Sequence, residues 1–134
     1  MYYDSFSNLI ANINLGYKIL LPSIIVYNTT LTQRVLSLLL KLGYIYSFVV
    51  LNSKQVQIFL KYNEYNSPAL RSIQRISKPG NRIFLSYKNL KNFTKNSNLN
   101  NNYQVGVFST SKGILTGFEA LELKVGGELL FLVN

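Results

Sequence analysis

The residues best suited to chemistry in this 134-residue chain are three consecutive hydroxyl side chains followed by a cation and a glycine. They form Ser109-Thr110-Ser111-Lys112-Gly113, at the predicted end of a strand, Val105–Ser109. Hydroxyl groups donate and accept hydrogen bonds, so they can engage phosphates, 2′-hydroxyls and base edges, and Gly113 permits a positive-φ turn. The segment lacks the G-x-x-x-x-G-K spacing of a phosphate-binding P-loop. Taken alone, it also fits a plain polar turn between two strands.

Composition excludes most enzymatic chemistry. The chain has no His and no Cys, which removes thiol nucleophiles, disulfides, imidazole acid–base pairs and ordinary zinc sites. An enzyme acting on RNA would need a metal held by carboxylates that are scattered along the chain, and a paired-carboxylate hydrolase is disfavoured for the same reason. We therefore predict no enzymatic activity, no cofactor, no metal and no small-molecule substrate. The carboxylates are Asp4, Glu64, Glu119, Glu122 and Glu128.

Basic residues dominate the charge, because 14 Lys and Arg against 5 Asp and Glu give a net charge of +9. A compact body with this imbalance repels itself unless a polyanion or an anionic surface lies against it. These side chains can neutralise phosphates, or they can form a solvated basic face. Four of the cations lie close together around a predicted turn: Arg71, Arg75, Lys78 and Arg82.

Helix caps and apolar spacing predict that the first half of the chain mixes helices and strands. An apolar stripe follows Asp4 as a helix N-cap, and Gly16 lies just past the predicted end of that helix. A second amphipathic helix begins at Thr29 or Thr30 and ends at Gly43. Three strands are predicted, and the last two form an antiparallel hairpin: Lys18–Tyr27, Tyr44–Leu51 and Gln55–Tyr62.

The second half is predicted to be mainly β. Thr116 caps a helix from Gly117 to about Lys124, with Glu119 completing a capping box, and Gly126-Gly127 forms the turn after it. The sequence therefore predicts an α+β fold of two small lobes, divided at a connector near residues 63–67. Residues 1–66 form an N-terminal α-β-α-β-β lobe, and residues 67–134 form a mainly β lobe with short helices. Its other strands are predicted at Ser72–Ile76, Arg82–Leu85 and Glu128–Val133.

Two segments of this second lobe resemble motifs of one ribosomal family. Ser72–Ile83 reads S-I-Q-R-I-S-K-P-G-N-R-I, similar to the signature S-I-x-R-x-S-K/R-P-G-x-R-I/V of the eighth protein of the small ribosomal subunit, bacterial type. The run from Ser109 to Thr116, followed by Glu119-Ala120 and Gly126-Gly127-Glu128, resembles the closing motifs of the same family in order. The first half is similar more loosely, so the resemblance covers nearly the whole chain.

The resemblance implies a structural protein of the small ribosomal subunit that binds the central domain of its rRNA early in assembly. It also implies contacts with neighbouring small-subunit ribosomal proteins. The hydroxyl segment would contact a distorted minor groove, where shape and 2′-hydroxyls are read, while Lys and Arg neutralise phosphates. The residues that inherit an rRNA-binding role are Ser109, Thr110, Ser111, Lys112, Gly113, Gly127, Glu128, Arg75, Lys78, Arg82, Thr29 and Thr30.

The chain departs from the family pattern in three places. At the entry to the second helix, Tyr27-Asn28-Thr29-Thr30 keeps the hydroxyls of the family's Pro-Ser-Ser-Lys type but drops its Pro and Lys. Asn12 and Asn14 occupy positions where the family usually carries Arg-x-Arg, so a contact from the first helix is weakened or lost. The Asn-rich stretch 95–104 is about six residues longer than the compact approach of the family, either as a surface extension or as a contact specific to a divergent ribosome.

Composition also bears on localisation. Asn occurs 16 times and Ala three times, a bias typical of A- and U-rich coding sequences in compact organelle genomes. The first ten residues resemble neither a secretory signal nor an Arg-rich transit peptide, and no apolar run approaches the ~18–20 residues of a spanning helix. Because common family residues are heavily substituted, we expect a mitochondrial protein encoded in the organelle genome, with a plastid as the second choice.

Two alternatives stay open from the sequence. Net positive charge and apolar content permit a basic peripheral membrane or anionic-surface protein, although the first predicted helix carries no Lys or Arg. Binding to an mRNA that mimics the rRNA site is a variant of the leading hypothesis.

Overall fold

The computed structural model of the chain describes residues 5–78, 80–92 and 105–133. It divides into two units, Met1–Ser72 and Ile73–Asn134, and each unit has its own sheet. Both units combine helices with antiparallel strands, which confirms the predicted α+β fold of two small lobes. The predicted N-cap Asp4 and the Asn-rich stretch 95–104 lie outside the described residues.

Residues 67–72, predicted from the sequence to begin the second lobe, belong to the first unit in the structure. Pro68 forms a bridge with Tyr62, and the Ala69 N–H donates to the Lys61 carbonyl at 3.0 Å. These backbone bonds fold the segment back onto the end of the last strand of that unit.

The first unit packs two helices and a three-stranded antiparallel sheet in the order β1-β3-β2. Apolar residues of β3 alternate with more exposed ones, and Val56, Ile58 and Leu60 are buried as the sequence predicts. The predicted hairpin between β2 and β3 is confirmed. Its turn is fixed by the Asn52 side-chain oxygen, which accepts from the Lys54 and Gln55 N–H groups. The elements are α1 (Ser5–Lys18), β1 (Ser23–Tyr27), α2 (Thr30–Leu42), β2 (Ile45–Val50) and β3 (Gln55–Leu60).

Both predicted caps of α2 are confirmed. The Thr29 hydroxyl accepts from the Thr32 N–H at 3.0 Å, which satisfies one of the free donors at the helix N-terminus. Gly43 has a φ of 83° and ends the helix in the left-handed conformation, where glycine carries no Cβ penalty.

Gly16 was predicted to lie past the end of α1, and this prediction is wrong. The helix continues to Lys18, so its last turn carries a cation and the predicted strand from Lys18 begins only at Ser23. A Cβ at Gly16 would lie 2.9 Å from both Ile24 Cγ2 and Leu60 Cδ1, so glycine allows the helix and the sheet to pack closely there without displacing these side chains. Leu20, with a φ of 60°, takes the left-handed position after the helix.

The second unit has a five-stranded sheet whose main path is β4-β8-β6-β7, with β5 also paired to β8. Leu90, Phe108, Ala120 and Leu129 form one of its buried clusters, so the two short helices cover the same sheet face as Phe108. The elements are β4 (Ile73–Arg75), β5 (Phe84–Leu85), α3 (87–92), β6 (Val105–Thr110), β7 (Gly113–Thr116), α4 (Gly117–Glu122) and β8 (Gly127–Val133).

The predicted cap of α4 is confirmed, but its predicted exit turn is wrong. The Thr116 hydroxyl accepts from the Glu119 N–H and donates to the Glu119 carboxylate, each at 3.2 Å. The left-handed residue after the helix is Lys124, with a φ of 56°, and not a glycine. Gly126 instead lies against β5, where a Cβ would stand 2.4 Å from the Leu85 carbonyl oxygen, and Gly127 already belongs to β8.

Candidate nucleic-acid interface

The hydroxyl segment forms the tip of the hairpin between β6 and β7. Thr110 and Gly113 are the last paired residues, so the strand extends one residue past the predicted end at Ser109 and the turn consists of Ser111 and Lys112. The Thr110 hydroxyl donates to the Gly113 carbonyl at 2.9 Å and accepts from the Lys112 N–H at 3.1 Å. Gly113 has a φ of 114°, which confirms the predicted positive-φ turn.

The three consecutive hydroxyl groups do not share one surface. Side chains alternate between the two faces of a strand, so Ser109 and Thr110 lie on opposite faces of the sheet. Thr110 is committed to the turn, whereas Ser111 is exposed at the tip. Within the described ranges, the half-buried Ser109 hydroxyl has no hydrogen-bond partner, so it is available to a ligand.

Strand register places Ser109 in a row of side chains across four strands. Ser109 is paired with Glu128 of β8 and with Ile114 of β7, and Glu128 is paired with Phe84 of β5. Directly opposed residues of antiparallel strands carry their side chains on the same face. This row, together with Arg82, which lies two residues before Phe84, is here named the Ser109 face.

Charge and exposure vary along the Ser109 face. The Glu128 side chain is 18% exposed, and its carboxylate lies 4.0 Å from a guanidinium nitrogen of Arg82, whose side chain is 60% exposed. Phe84 is 65% exposed, which is unusual for a strand aromatic. The face therefore combines a hydroxyl, a partly shielded carboxylate, an exposed guanidinium and an exposed aromatic ring.

Gly127 brings β8 unusually close to the hydroxyl segment. It is paired with Thr110, and a Cβ at this position would stand 2.4 Å from the Ser109 carbonyl oxygen and 2.9 Å from Thr110 Cγ2. A Cβ closer than 3.0 Å to backbone atoms would force the backbone to move. The register of the hairpin on β8 therefore depends on the absence of a side chain at Gly127.

The predicted basic turn is held by a buried hydroxyl. Ser77 is 3% exposed, and its side chain accepts from the Ile83 N–H at 2.9 Å and donates to the Ile83 carbonyl at 3.3 Å. Lys78 and Asn81 exchange two backbone hydrogen bonds inside this loop, and Lys78 is exposed. The half-buried Arg75 donates from Nε to the Ser77 carbonyl at 2.7 Å, which fixes its guanidinium beside the turn.

Comparison with known proteins decides the family. The sequence model described as Ribosomal protein S8 matches residues 4–134. The chain belongs to the ribosomal protein S8 family. It is 41% identical over 128 residues to the small ribosomal subunit protein uS8m of Acanthamoeba castellanii, covering 96% of this chain and 97% of the relative.

Bacterial proteins of the S8 family are similar along most of the chain. The small ribosomal subunit protein uS8 of Campylobacter hominis is 38% identical over 106 residues, which cover 77% of this chain and 76% of the relative. The uS8 of Rhodopseudomonas palustris is 34% identical over 135 residues, which cover 98% of this chain and 97% of the relative. The match spans both units, so the motif resemblance found in the second lobe extends to the first.

Membership of the S8 family makes this chain a structural, non-enzymatic protein of the small ribosomal subunit. In the part of the chain that the structure describes, no three metal-ligating side chains come together. Among the same residues, none of the helices has the length and apolar character needed to cross a membrane.

The structure separates the predicted site residues into distinct groups. Ser109, Glu128 and Arg82 share the Ser109 face, while Ser111, Lys112 and Gly113 form the adjacent hairpin tip. Lys78 lies in the loop that the Ser77 hydroxyl closes onto Ile83, here named the Ser77 loop, and Arg75, the last residue of β4, lies beside it. Thr29 and Thr30 lie in the other unit, where the Thr29 hydroxyl caps α2 and Thr30 is exposed.

Two residues of this interface, Phe84 and Ser77, are not predicted from the sequence as site residues, although Ser77 lies within the motif Ser72–Ile83. Phe84 lies beside Glu128, and its position could have been found from the alternation of Arg82 and Phe84 along one strand face. Ser77 carries the geometry of the basic turn, but its bonding to Ile83 across the loop leaves no periodic signal in the sequence.

Proposed function

We propose that this protein binds the central domain of small-subunit rRNA through the second unit and supports assembly of the subunit. The observation that carries the proposal is the Ser109 face, where an unpartnered hydroxyl lies beside Glu128 within two closely packed strands. The motifs that build this face are those in which the chain resembles the S8 family most specifically. The proposal assigns recognition to the hydroxyl and carboxylate, and neutralisation of phosphates to the surrounding cations.

Each group on the Ser109 face has chemistry that suits RNA. The Ser109 hydroxyl can donate to or accept from a ribose 2′-hydroxyl, and the Glu128 carboxylate can accept from a 2′-hydroxyl or an exocyclic base amine. Arg82 reaches a phosphate from the rim, and the open ring of Phe84 offers a stacking surface for an unpaired base. Such contacts read shape, which matches an irregular RNA helix better than base-edge readout does.

The segments next to the Ser109 face add backbone groups and positive charge to the proposed RNA-binding surface. Ser111 and Lys112 project from the hairpin tip, and Gly113 allows the RNA backbone to approach, because a Cβ there would meet nothing within 4 Å. Gly127 contributes by holding β8 against the hydroxyl segment. Lys78 and Arg75 extend the positive surface along the Ser77 loop. In the first unit, Thr30 offers an exposed hydroxyl as a further contact, positioned by the capping residue Thr29, and Thr110 positions the tip in the same way.

We assign the protein to the mitochondrial ribosome, where its partners would be small-subunit rRNA and neighbouring ribosomal proteins. Support comes from the uS8m of Acanthamoeba castellanii, whose name marks a mitochondrial form, and from the Asn-rich composition. The same composition supports encoding in the organelle genome, which sequencing of the DNA flanking the gene would test.

Direct RNA binding tests the central proposal. The full chain should bind a central-domain rRNA fragment more tightly than an unrelated structured RNA of equal length, and binding should weaken steeply with salt. Arg82→Gln should make the plot of log affinity against log salt less steep by about 0.7–0.9, as expected for one lost phosphate contact. Lys124→Gln, a cation on the exit of α4, is the matched control and should leave the slope unchanged. Equal affinity for the two RNAs would contradict the proposal.

A further inference from the structure

One side of the first unit's sheet has no part in the RNA contacts proposed above. The buried side chains of β1 and β3, such as Ile24 and Ile58, lie on the other side of that sheet. Strand register places Ile25, Gln57 and Val49 directly opposite one another across β1, β3 and β2, so their side chains share one face. This side is here named the outer face and consists of Ser23, Ile25, Tyr27, Ser47, Val49, Gln55, Gln57 and Phe59.

The outer face is unusually apolar for the solvent side of a sheet. An antiparallel sheet that is covered on one side ordinarily carries polar residues on the other. Here Ile25 is 52% exposed, Val49 is 49% exposed, and Tyr27 is exposed as well. No residue of β1, β2 or β3 is charged. Contiguous exposed apolar side chains of this kind mark an interaction surface.

The glutamine side chains of the outer face are bonded to their neighbours. Gln57 Nε2 donates to Ser23 Oγ at 3.1 Å, and Gln55 Oε1 accepts from Asn52 Nδ2 at 3.3 Å. A polar group that already has a hydrogen bond costs less to bury than one that has none. The outer face can therefore lie against an apolar partner without leaving these groups unpaired.

Tyr46 adds an aromatic side chain at the edge of the outer face. Ile45 is paired with Leu60 and Ser47 with Phe59, so Tyr46 is the extra residue of a bulge in the edge strand β2. Bulges at sheet edges redirect side chains, and Tyr46 is 72% exposed. Tyrosine is among the residues that most often anchor protein–protein interfaces.

Positive charge lies at the two ends of the outer face and not on it. Lys54 immediately precedes β3 and Lys61 immediately follows it, and both are exposed. Among the described residues, neither lysine lies within ion-pair distance of a carboxylate. An extended chain places these two positions about 23 Å apart. A complementary partner therefore has an apolar stretch with carboxylates on both sides of it, at a similar spacing.

We propose that the outer face binds a segment of a neighbouring small-subunit protein that is apolar in its middle and acidic at its ends. RNA does not suit this surface, because phosphates are bound by cations and the outer face has none. A second copy does not suit it either, since two chains of net charge +9 would repel each other. The inference rests on the proposed place of the chain in the ribosome, and it does not involve the Ser109 face.

Photo-crosslinking in reconstituted small subunits tests the occupant. The full chain with p-benzoylphenylalanine in place of Tyr46 is assembled with small-subunit rRNA and the other small-subunit proteins, and is then irradiated. We expect a crosslink to one protein, at a segment whose apolar stretch has Asp or Glu on both sides. The matched control carries p-benzoylphenylalanine in place of Tyr65, which is exposed in the same unit but outside the sheet, and should not reach that segment.

A charge placed on the outer face tests the same contact by substitution. Val49→Lys should lower the yield of the crosslink from position 46 by about tenfold or more, because an unpaired cation would be buried against an apolar segment. Its affinity for the isolated central-domain fragment should not fall. Tyr65→Lys adds the same charge outside the sheet and should keep the crosslink. Urea unfolding of both variants checks that the fold is retained.

The outcomes separate this inference from the proposed function. A crosslink from position 46 to rRNA, to a second copy or to a segment without flanking carboxylates would overturn the inference. No crosslink from position 46, or an equal yield from position 65 at the same segment, would also overturn it. Failure of the wild type to prefer the central-domain fragment would contradict the proposed function, and a crosslink in the assembled subunit would still support the outer face.

Discussion

Gly127 lies directly against the main chain of Ser109, with no space between them for a side chain. A Cβ at Gly127 would stand 2.4 Å from the Ser109 carbonyl oxygen. The strands β6 and β8, which carry Ser109 and Glu128, therefore approach each other at this point with no side chain between them.

Gly127→Ala should weaken both folding and RNA binding. The methyl group forces β8 and β6 apart, which we expect to cost about 1–3 kcal/mol of stability, as overpacking does elsewhere. Gly80→Ala is the matched control, because a Cβ there meets nothing within 4 Å. Urea unfolding and binding to the central-domain fragment measure the two effects, and a Gly127→Ala protein as stable as Gly80→Ala would contradict the close packing.

The neighbouring hydroxyl groups Ser109 and Thr110 should respond differently to removal. Ser109→Ala should lower RNA affinity by about 1–3 kcal/mol, because a buried contact is lost in the complex, while stability stays unchanged. Thr110→Val should lower stability by about 1 kcal/mol, since its hydroxyl makes two bonds within the turn. Filter binding and urea unfolding on both variants separate the roles. The reverse pattern would show that the Ser109 face is misassigned.

The two threonines at the start of α2 should also respond differently to substitution. Thr29→Ala should cost about 1 kcal/mol of stability, because the N-cap hydrogen bond to Thr32 is lost. Thr30→Ala should leave stability almost unchanged, since its side chain is exposed, and should weaken RNA binding if Thr30 contacts a strand. Thermal unfolding of the two variants side by side measures the difference, and equal midpoints would refute the capping role.

Tyr17 should give the protein an alkaline limit. Burial raises the pKa of Tyr17 above its ordinary value near 10, opposed in part by the hydrogen bond that it accepts from the Lys61 N–H. The folded state thus keeps the phenol neutral at pH values where the unfolded chain ionises. The stability that the neutral Tyr17 phenol contributes is complete below about pH 10 and is lost as pH rises above it.

Tyr17→Phe should be less stable than the wild type at pH 8 by about 1–3 kcal/mol, because the Tyr44 carbonyl and Lys61 N–H lose their partner. Its further loss of stability between pH 8 and pH 11 should be smaller than that of the wild type. Urea titrations at both pH values measure this, with the exposed Tyr46→Phe as control. Parallel losses in all three proteins would exclude Tyr17 as the titrating group.

Lys124 marks a site where the chain can be stabilised. Its φ of 56° lies in the left-handed region after α4, so Lys124→Gly should relieve a cost of about 1 kcal/mol. Lys124→Ala removes the same charge without relieving the backbone, and should show no gain. Urea midpoints for the two variants provide the test, and a gain in both would assign the effect to charge.

Local sequence rules predicted the parts of the fold that depend on neighbouring residues. Gly43 and Thr116 are predicted correctly as caps, and the N-cap of α2 is narrowed to Thr29 or Thr30, because a cap is satisfied within one helical turn. Gly16 and Gly126 were assigned as helix ends because glycine often has that role. Their actual reason is the approach of a distant strand, which only the tertiary structure shows.

The candidate site is likewise predicted only in part, because its arrangement depends on contacts between distant strands. The hydroxyl segment was found from residue types alone, and the family motifs extended it to Glu128. Ser109 and Thr110 lie on opposite faces of the sheet because β6 continues to Thr110, whereas the sequence predicts that this strand ends one residue earlier. The partnership of Ser109 with Glu128 and Phe84 depends on register across three strands, which no local pattern determines.

The Ser77 hydroxyl has a consequence for binding kinetics. Because it bonds both the N–H and the carbonyl of Ile83, the backbone that carries the cations of that loop is held in place before any RNA arrives. Encounter with the RNA then requires no conformational search, and the association rate is governed by diffusion and long-range attraction. Stopped-flow traces should therefore show a single phase whose rate rises linearly with RNA concentration and falls as salt is added.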